Sequence, residues 1–274
     1  MRVKSRSMAI ASISAVALLA TACGGSSDDS SGGSGGDGGG EIVVSGCTPE
    51  NPLIAGNTGE TCGGNVLDVM TAKLIHYNTE TAEPEMDIAE SIETEDNQNF
   101  TVKIKPDYKF ADGTPVTAKS FVDAWNYAAW APNGYESNYF FEPIAGYAAL
   151  QCTGEGDDPC AGPGAPKDAD QALDGLKVVD ETTFTIQTAE KVSNLTVRLG
   201  YTAFAPLPEV FFKDPEAYGK KPVSAGPYMV ESWTRNKSIV VVKNPNYSGE
   251  FPGQAEKITF KIYNDLAPAY ADLQ

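Results

Sequence analysis

The stretch that most constrains this chain's fold runs from Phe100 to Trp125. Phe100-Thr-Val-Lys-Ile-Lys105 alternates apolar and polar residues, the period of a strand with one buried face. Asp112-Gly113 follows as a turn dipeptide, in which glycine supplies a positive φ without a steric cost. Pro115-Val-Thr-Ala118 then opens a helix: Thr117 suits the N-cap, and Phe121, Val122, Trp125 and Ala129 share one face. Trp125 is read as core packing, not as a platform for a ligand.

The rest of the chain supports a mixed α/β class without regular strand–helix alternation or internal repeats. Glu41–Ser45 predicts a short strand, followed by a Pro/Asn/Gly-rich loop to Gly64. Apolar residues at 66, 67, 69, 70, 74 and 75 predict a helix from Val66 to Ile75. Leu176–Val179 and Thr183–Gln187 predict a hairpin around Asp180-Glu181, and Ile239–Lys243 and Lys257–Tyr263 two further strands. A Gly/Pro/Asp-rich loop occupies Ala145 to Asp174. The final segment, Leu266–Gln274, reads as the opening of a helix without a stop signal, so the reading frame is expected to continue.

The N-terminus predicts export. Arg2, Lys4 and Arg6 precede an apolar run from Met8 to Ala20 that is too short for a spanning helix, which needs about 20 apolar residues. Residues 1–22 are therefore read as a signal peptide ending in small residues before Cys23. That context makes Cys23 a lipidation site and the mature N-terminus. Ala20 stands where lipoprotein signals usually carry Leu, and Ala20-Thr-Ala22 would also suit ordinary cleavage. Residues 23–40 form a Gly/Ser/Asp tether that cannot bury a core.

Of five cysteines, setting Cys23 aside leaves an even set, which in an exported chain suggests disulfides. Proximity in sequence favours Cys47–Cys62 and Cys152–Cys160. There is no CxxC pair and only one histidine, His76, so no metal site and no cofactor are expected. The net charge of -17 becomes more negative once the basic leader is removed, which argues against nucleic acid. No Gly-x-Ser-x-Gly is present, and the pairs Glu93/Glu95 and Asp157/Asp158 lie in acidic, loop-like runs. No catalytic residue is assigned, and His76 is read as structural.

Two ordered segments carry a family resemblance. Phe100 to Trp125, with its Lys-Phe-Ala-Asp-Gly-Thr-Pro-Val-Thr-Ala core, resembles the signature of the peptide/nickel-type (family 5) extracellular solute-binding proteins of ABC importers. Pro222-Val-Ser-Ala-Gly-Pro-Tyr228, followed by Trp233 and Asn244-Pro-Asn-Tyr247, is similar to the family's Gly-Pro-Tyr turn and Asn-Pro-x-Tyr strand end. Ser224-Ala225 stands where Gly-Thr is common. The surroundings of Cys47 and Cys62 are similar to actinobacterial members.

The resemblance implies a periplasmic-binding-protein-like, two-lobe clamshell (type II) that closes on a solute by hinge motion. Residues 41–77 and 195–274 would form the base of the first lobe, 78–194 an inserted subdomain, and the second lobe would follow Gln274. A chain ending there would bind weakly or not at all. Ligand contacts are expected in the Gly56–Thr61 loop, at Asn57 and Thr58, where a peptide backbone could pair in strand-like fashion. A second group follows the Trp125 helix: Tyr135, Asn138, Tyr139 and Phe140. Glu60 and Glu142 could meet a cationic terminus. The implied role is capture of di- or oligopeptides by a monomer anchored to the membrane and partnered with an ABC permease. A sensor on the same scaffold, a binder of oligosaccharides, opines or nickel complexes, and a secreted hydrolase are the alternatives.

Overall fold

The computed structural model describes residues 39–151 and 171–272. In chain order, strand β1 (Glu41–Gly46) is followed by helix α1 (Thr61–Met70) and strands β2 (Ile75–Tyr77), β3 (Pro84–Met86), β4 (Ala89–Glu93) and β5 (Asn99–Ile104). Helix α2 (Ala118–Ala129) precedes three 3-10 turns and the hairpin β6 (Leu176–Val178) and β7 (Thr183–Gln187). Short helices α3 (Leu195–Arg198), α4 (Glu209–Lys213) and α5 (Pro215–Tyr218) lead into β8 (Tyr228–Thr234), β9 (Ser238–Lys243), β10 (Lys257–Ile262) and α6 (Leu266–Ala271).

The strands form two four-stranded sheets and one short pair. The first sheet has the order β1-β10-β9-β8, with β1 parallel to β10 and the others antiparallel. Its alternating Val230, Ile239, Val241, Ile258 and Phe260 pack against Val66, Leu67 and Met70 of α1. The second sheet, β4-β5-β7-β6, is antiparallel throughout. Phe100, Val102 and Ile104 of β5 and Phe184 and Ile186 of β7 face a core shared with Phe121, Val122, Trp125 and Ala129 of α2. That core continues into Leu195, Phe204 and Phe211, so it joins residues 78–194 to the helical segment C-terminal to them. The boundary drawn at residue 77 falls within the β2–β3 hairpin, whose strands pair Tyr77 with Pro84.

Trp125 is fully buried and stands edge-on to Phe184 at 5.5 Å and to Phe204 at 5.2 Å. Its indole N–H donates to the Phe204 carbonyl at 3.1 Å, which satisfies the one polar atom the ring brings into the core. At the turn before α2, Gly113 has φ +85° and the Asp112 carboxylate accepts the Thr114 amide at 2.9 Å. Thr117 holds the N-cap, and the Ser120 hydroxyl accepts the Thr117 amide at 3.2 Å.

The helix predicted from Val66 to Ile75 is displaced. It starts within the expected loop, at Thr61, because the Glu60 carboxylate accepts the Gly63 amide at 2.9 Å and caps it. It ends at Met70, with Thr71 extended. The Met70 carbonyl instead accepts the Gly226 amide at 3.0 Å and the Ser224 hydroxyl. Leu74 and Ile75 remain buried, but Leu74 lies in the crossing to β2 and Ile75 begins that strand. A Cβ on Gly226 would lie 2.4 Å from the Met70 oxygen, so glycine there is a packing requirement.

Cys47 and Cys62 are bonded, with Cα atoms 5.2 Å apart, and join the end of β1 to the first turn of α1. Cys23, Cys152, Cys160, residues 1–22, read above as a signal peptide, and most of the segment read as a tether lie outside the described residues. No helix among the described residues is long and apolar enough to cross a membrane. His76 sits in β2 with its ring stacked on Phe251, centroids 3.9 Å apart.

Candidate functional site

The two loops singled out in the sequence lie against each other. The Ser137 amide donates to the Gly56 carbonyl at 3.2 Å, and the Asn51 side-chain amide donates to Glu136 Oε1 at 2.9 Å. The Asn57 side-chain oxygen faces the Glu136 amide at 3.4 Å. Gly56 permits this approach, since a Cβ there would stand 3.1 Å from Ala128 and 3.2 Å from the Tyr135 ring. The turn of chain at 201–203 closes a third side, and Thr202 donates from its hydroxyl to Asp68 of α1 at 3.2 Å.

Between these three segments is an open cleft of about 500 Å³. Thr58, Tyr139 and Phe140 line it, together with Glu60, Glu136 and Tyr201. Tyr139 is 63% exposed and Tyr201 45% exposed, so both rings are open to a solute. The Tyr139 and Phe140 rings lie 4.6 Å apart, and Phe140 meets Tyr201 edge-on at 5.4 Å. Phe140 in turn reaches Phe204 of the core at 6.1 Å, so the aromatic shelf is braced from below.

The six predicted contacts divide. Thr58 lines the cleft, but its side chain is buried and its hydroxyl is held by the Pro52 and Ile54 carbonyls at 2.8 and 3.0 Å. Asn57 lies behind the wall, turned towards Glu136. Asn138 does not line the cleft. Its amide donates to the Ala128 and Ala129 carbonyls at 3.1 and 2.6 Å, tying off the end of α2, and its oxygen accepts the Tyr147 hydroxyl at 2.5 Å. Tyr135 is turned inward against Tyr127, ring centroids 5.3 Å apart. Its buried hydroxyl has no hydrogen-bond partner among the described residues, and burial pushes it above the usual phenol range. Glu142, named with Glu60 as a partner for a cation, does not line the cleft, whereas Glu136 does.

Sequence reasoning passed over Glu136, Tyr201 and Thr202. Glu136 sits between two residues that were considered, and its carboxylate lines the wall, where Asn51 donates to it. Tyr201 carried a signal of its own, an aromatic flanked by Gly200 and Thr202 in a segment without strand or helix periodicity.

The two signature segments, far apart in sequence, are also bonded to each other. The Ala111 amide donates to the Ser224 carbonyl at 2.9 Å, and the Asn246 side-chain amide donates to the Ala111 carbonyl at 3.0 Å. Asn244 closes the arrangement by donating to the Gly226 carbonyl at 2.9 Å. They brace the floor of the fold and do not line the cleft.

The model of one family, "Bacterial extracellular solute-binding proteins, family 5 Middle", matches residues 83–274. The periplasmic oligopeptide-binding protein OppA of Salmonella typhimurium is 30% identical over 167 residues, 60% of this chain and 28% of that protein. The dipeptide-binding protein of Lactococcus lactis is 28% identical over 190 residues, 65% of this chain and 32% of that one. Among solved structures, the murein tripeptide binding protein MppA of Escherichia coli aligns with a TM-score of 0.72 at 22% identity, over 86% of this chain and 44% of that one. Listeria monocytogenes OppA bound to peptide aligns with a TM-score of 0.72 at 22% identity, over 88% and 46%. The chain thus spans about a third of these curated relatives and less than half of these solved structures. The structural likeness at that identity bears on the fold: a mixed α/β portion of a family 5 binding protein. With the match running over most of its length, through both mutually bonded segments, the chain belongs to the bacterial extracellular solute-binding proteins of family 5.

Proposed function

We propose that this protein captures peptides outside the cytoplasm and delivers them to an ABC-type permease in the membrane, without catalysing a reaction. The observation that carries the reading is the cleft itself. Two loops remote in sequence are locked edge to edge, and beside them exposed aromatic rings stand where a solute could stack. Rings on a braced wall recognise a ligand at low entropic cost, because little has to be ordered on binding. Oligopeptide- and dipeptide-binding proteins among the relatives support peptides as the solute class.

In this reading Tyr139, Phe140 and Tyr201 stack on the ligand. Asn57 and Thr58 act through the backbone of their loop. Residues 41–77 and 195–274 form the base of the first lobe and 78–194 its inserted part. The relatives' greater length leaves room for a second lobe to supply the opposite wall. A lipid on Cys23 and the tether at 23–40 hold the monomer near its permease and raise its effective concentration there. Cys152–Cys160 closes the acidic loop as a second disulfide.

A thermal-shift screen of the full-length protein, with both lobes, against di- to pentapeptides and, in parallel, oligosaccharides tests the solute class. Peptides are expected to raise the melting temperature in a concentration-dependent way. A response to sugars alone, or to nothing, would remove the peptide reading.

A further inference from the structure

The cleft's charge is one-sided. Its lining includes the carboxylates of Glu60 and Glu136 and, among the described residues, no Lys, Arg or His. The two acids are not equivalent. Both oxygens of Glu60 accept the Gly63 amide at 2.9 Å, and Oε1 also accepts the Glu50 amide at 3.2 Å. That charge is committed to capping α1, where the positive end of the helix offsets it. Glu136 Oε1 is taken by the Asn51 amide at 2.9 Å, but Oε2 has neither a hydrogen bond nor an ion pair among the described residues. It stands over Gly59, where an added Cβ would come within 3.0 Å of it. An open carboxylate oxygen in a cavity shared with Tyr139, Phe140 and Tyr201 offers a cation a charge-assisted hydrogen bond beside aromatic ring faces.

We infer that Glu136 is a specificity-determining residue that makes this wall select solutes bearing a positive group, either a free ammonium terminus or a lysine or arginine side chain. The inference rests on the peptide-binding reading of the same cleft. A neutral group placed there would leave Oε2 desolvated without a partner, so cationic solutes gain by comparison.

Four matched tripeptides test it: Lys-Ala-Ala, its norleucine analogue, and the N-acetylated form of each. Their affinities are measured by NMR titration of the full-length, two-lobe protein as wild type, Glu136→Gln and Asn51→Ala. Glu136→Gln keeps an acceptor for Asn51 and removes the charge; Asn51→Ala removes the tie and keeps the charge. The wild type is expected to prefer the cationic peptides by roughly fivefold, a preference that falls as salt rises. Glu136→Gln should lose that preference, and Asn51→Ala should retain it. Loss on N-acetylation assigns the cation to the terminus, and loss on norleucine substitution assigns it to the side chain. Equal affinity for charged and neutral peptides in the wild type, or a preference surviving in Glu136→Gln, overturns the inference while leaving peptide binding intact. Absence of binding by all four peptides removes the reading beneath it as well.

Discussion

The side-chain amide of Asn246 donates to the carbonyl of Ala111 at 3.0 Å and so fastens the end of β9 to the turn before α2. The residues on either side make the fastening reciprocal, since the Ala111 amide reaches Ser224 and the Ser224 hydroxyl reaches the end of α1. Asn246→Ala removes one such bond and leaves a partly buried carbonyl without its donor. We expect a loss of about 1–2 kcal/mol, read from the midpoint of urea unfolding with an unchanged slope. Gly226→Ala should cost more, because its Cβ would meet the Met70 backbone, which has no soft side chain to move aside.

Trp125 predicts the largest single loss. It is fully buried and contacts Phe121, Phe141, Phe184 and Phe204. Trp125→Ala is expected to cost about 3–5 kcal/mol in the same assay, and Trp125→Phe distinctly less. A peptide affinity that fell in Trp125→Phe without a change in stability would instead place this ring at the ligand.

Asp87 should give the fold a pH signature. It is buried, accepts the Tyr108 hydroxyl at 2.5 Å and the Lys73 amide at 3.3 Å, and lies near His76, Lys73 and Tyr247. Burial is the largest influence and raises its pKa above 3.8, with the hydrogen bonds pulling part of the way back. A carboxyl raised in the folded state binds its proton more readily there than in the unfolded chain. Its contribution to stability is therefore fullest below the ordinary value and fades as pH rises through the folded one. Asp87→Asn should flatten this trend: the stability of the wild type relative to the variant should grow as pH is lowered from about 6 to about 4. A difference independent of pH would contradict the assignment.

The Cys47–Cys62 bond ties β1 to α1 and should stabilise by roughly 2–4 kcal/mol. The double variant Cys47→Ser, Cys62→Ser should show that loss without altering peptide selectivity, because neither residue lines the cleft. At the N-terminus, mass spectrometry of the mature protein decides the anchor. Diacylglyceryl on Cys23 is expected, and an unmodified Cys23 terminus would mean ordinary cleavage after Ala22.

Legibility in the sequence tracks the range of the interactions involved. β5, the Asp112-Gly113 turn and α2 were legible because each is specified locally, by alternation, by a glycine at φ +85° and by an N-cap. The end of α1 was not. Its stop signal is a pair of donors from Ser224 and Gly226, more than a hundred residues further on, and no local pattern announces it. β4 and β8 were missed for a related reason, since each carries a register shift that breaks its alternation. Within the cleft, Tyr139 and Phe140 could be named as aromatics in a Gly/Asn-rich loop. Asn138 has the same local setting but ties off the end of α2, and Glu136 faces its cleft because the loop carrying it is bonded to Gly56 and Asn51, some eighty residues earlier.

The peptide capture proposed above would place the ligand on the wall formed by residues 58–60, 136–137, 139–140 and 201–203. Titration of the isotope-labelled full-length protein with a tripeptide, followed by amide shifts residue by residue, tests this most directly. Saturating shifts are predicted at Gly59, Tyr139, Phe140, Tyr201 and Thr202, weakened together in Tyr139→Ala with Tyr201→Ala. Saturating shifts confined to other surfaces, with these five amides unmoved, would contradict it.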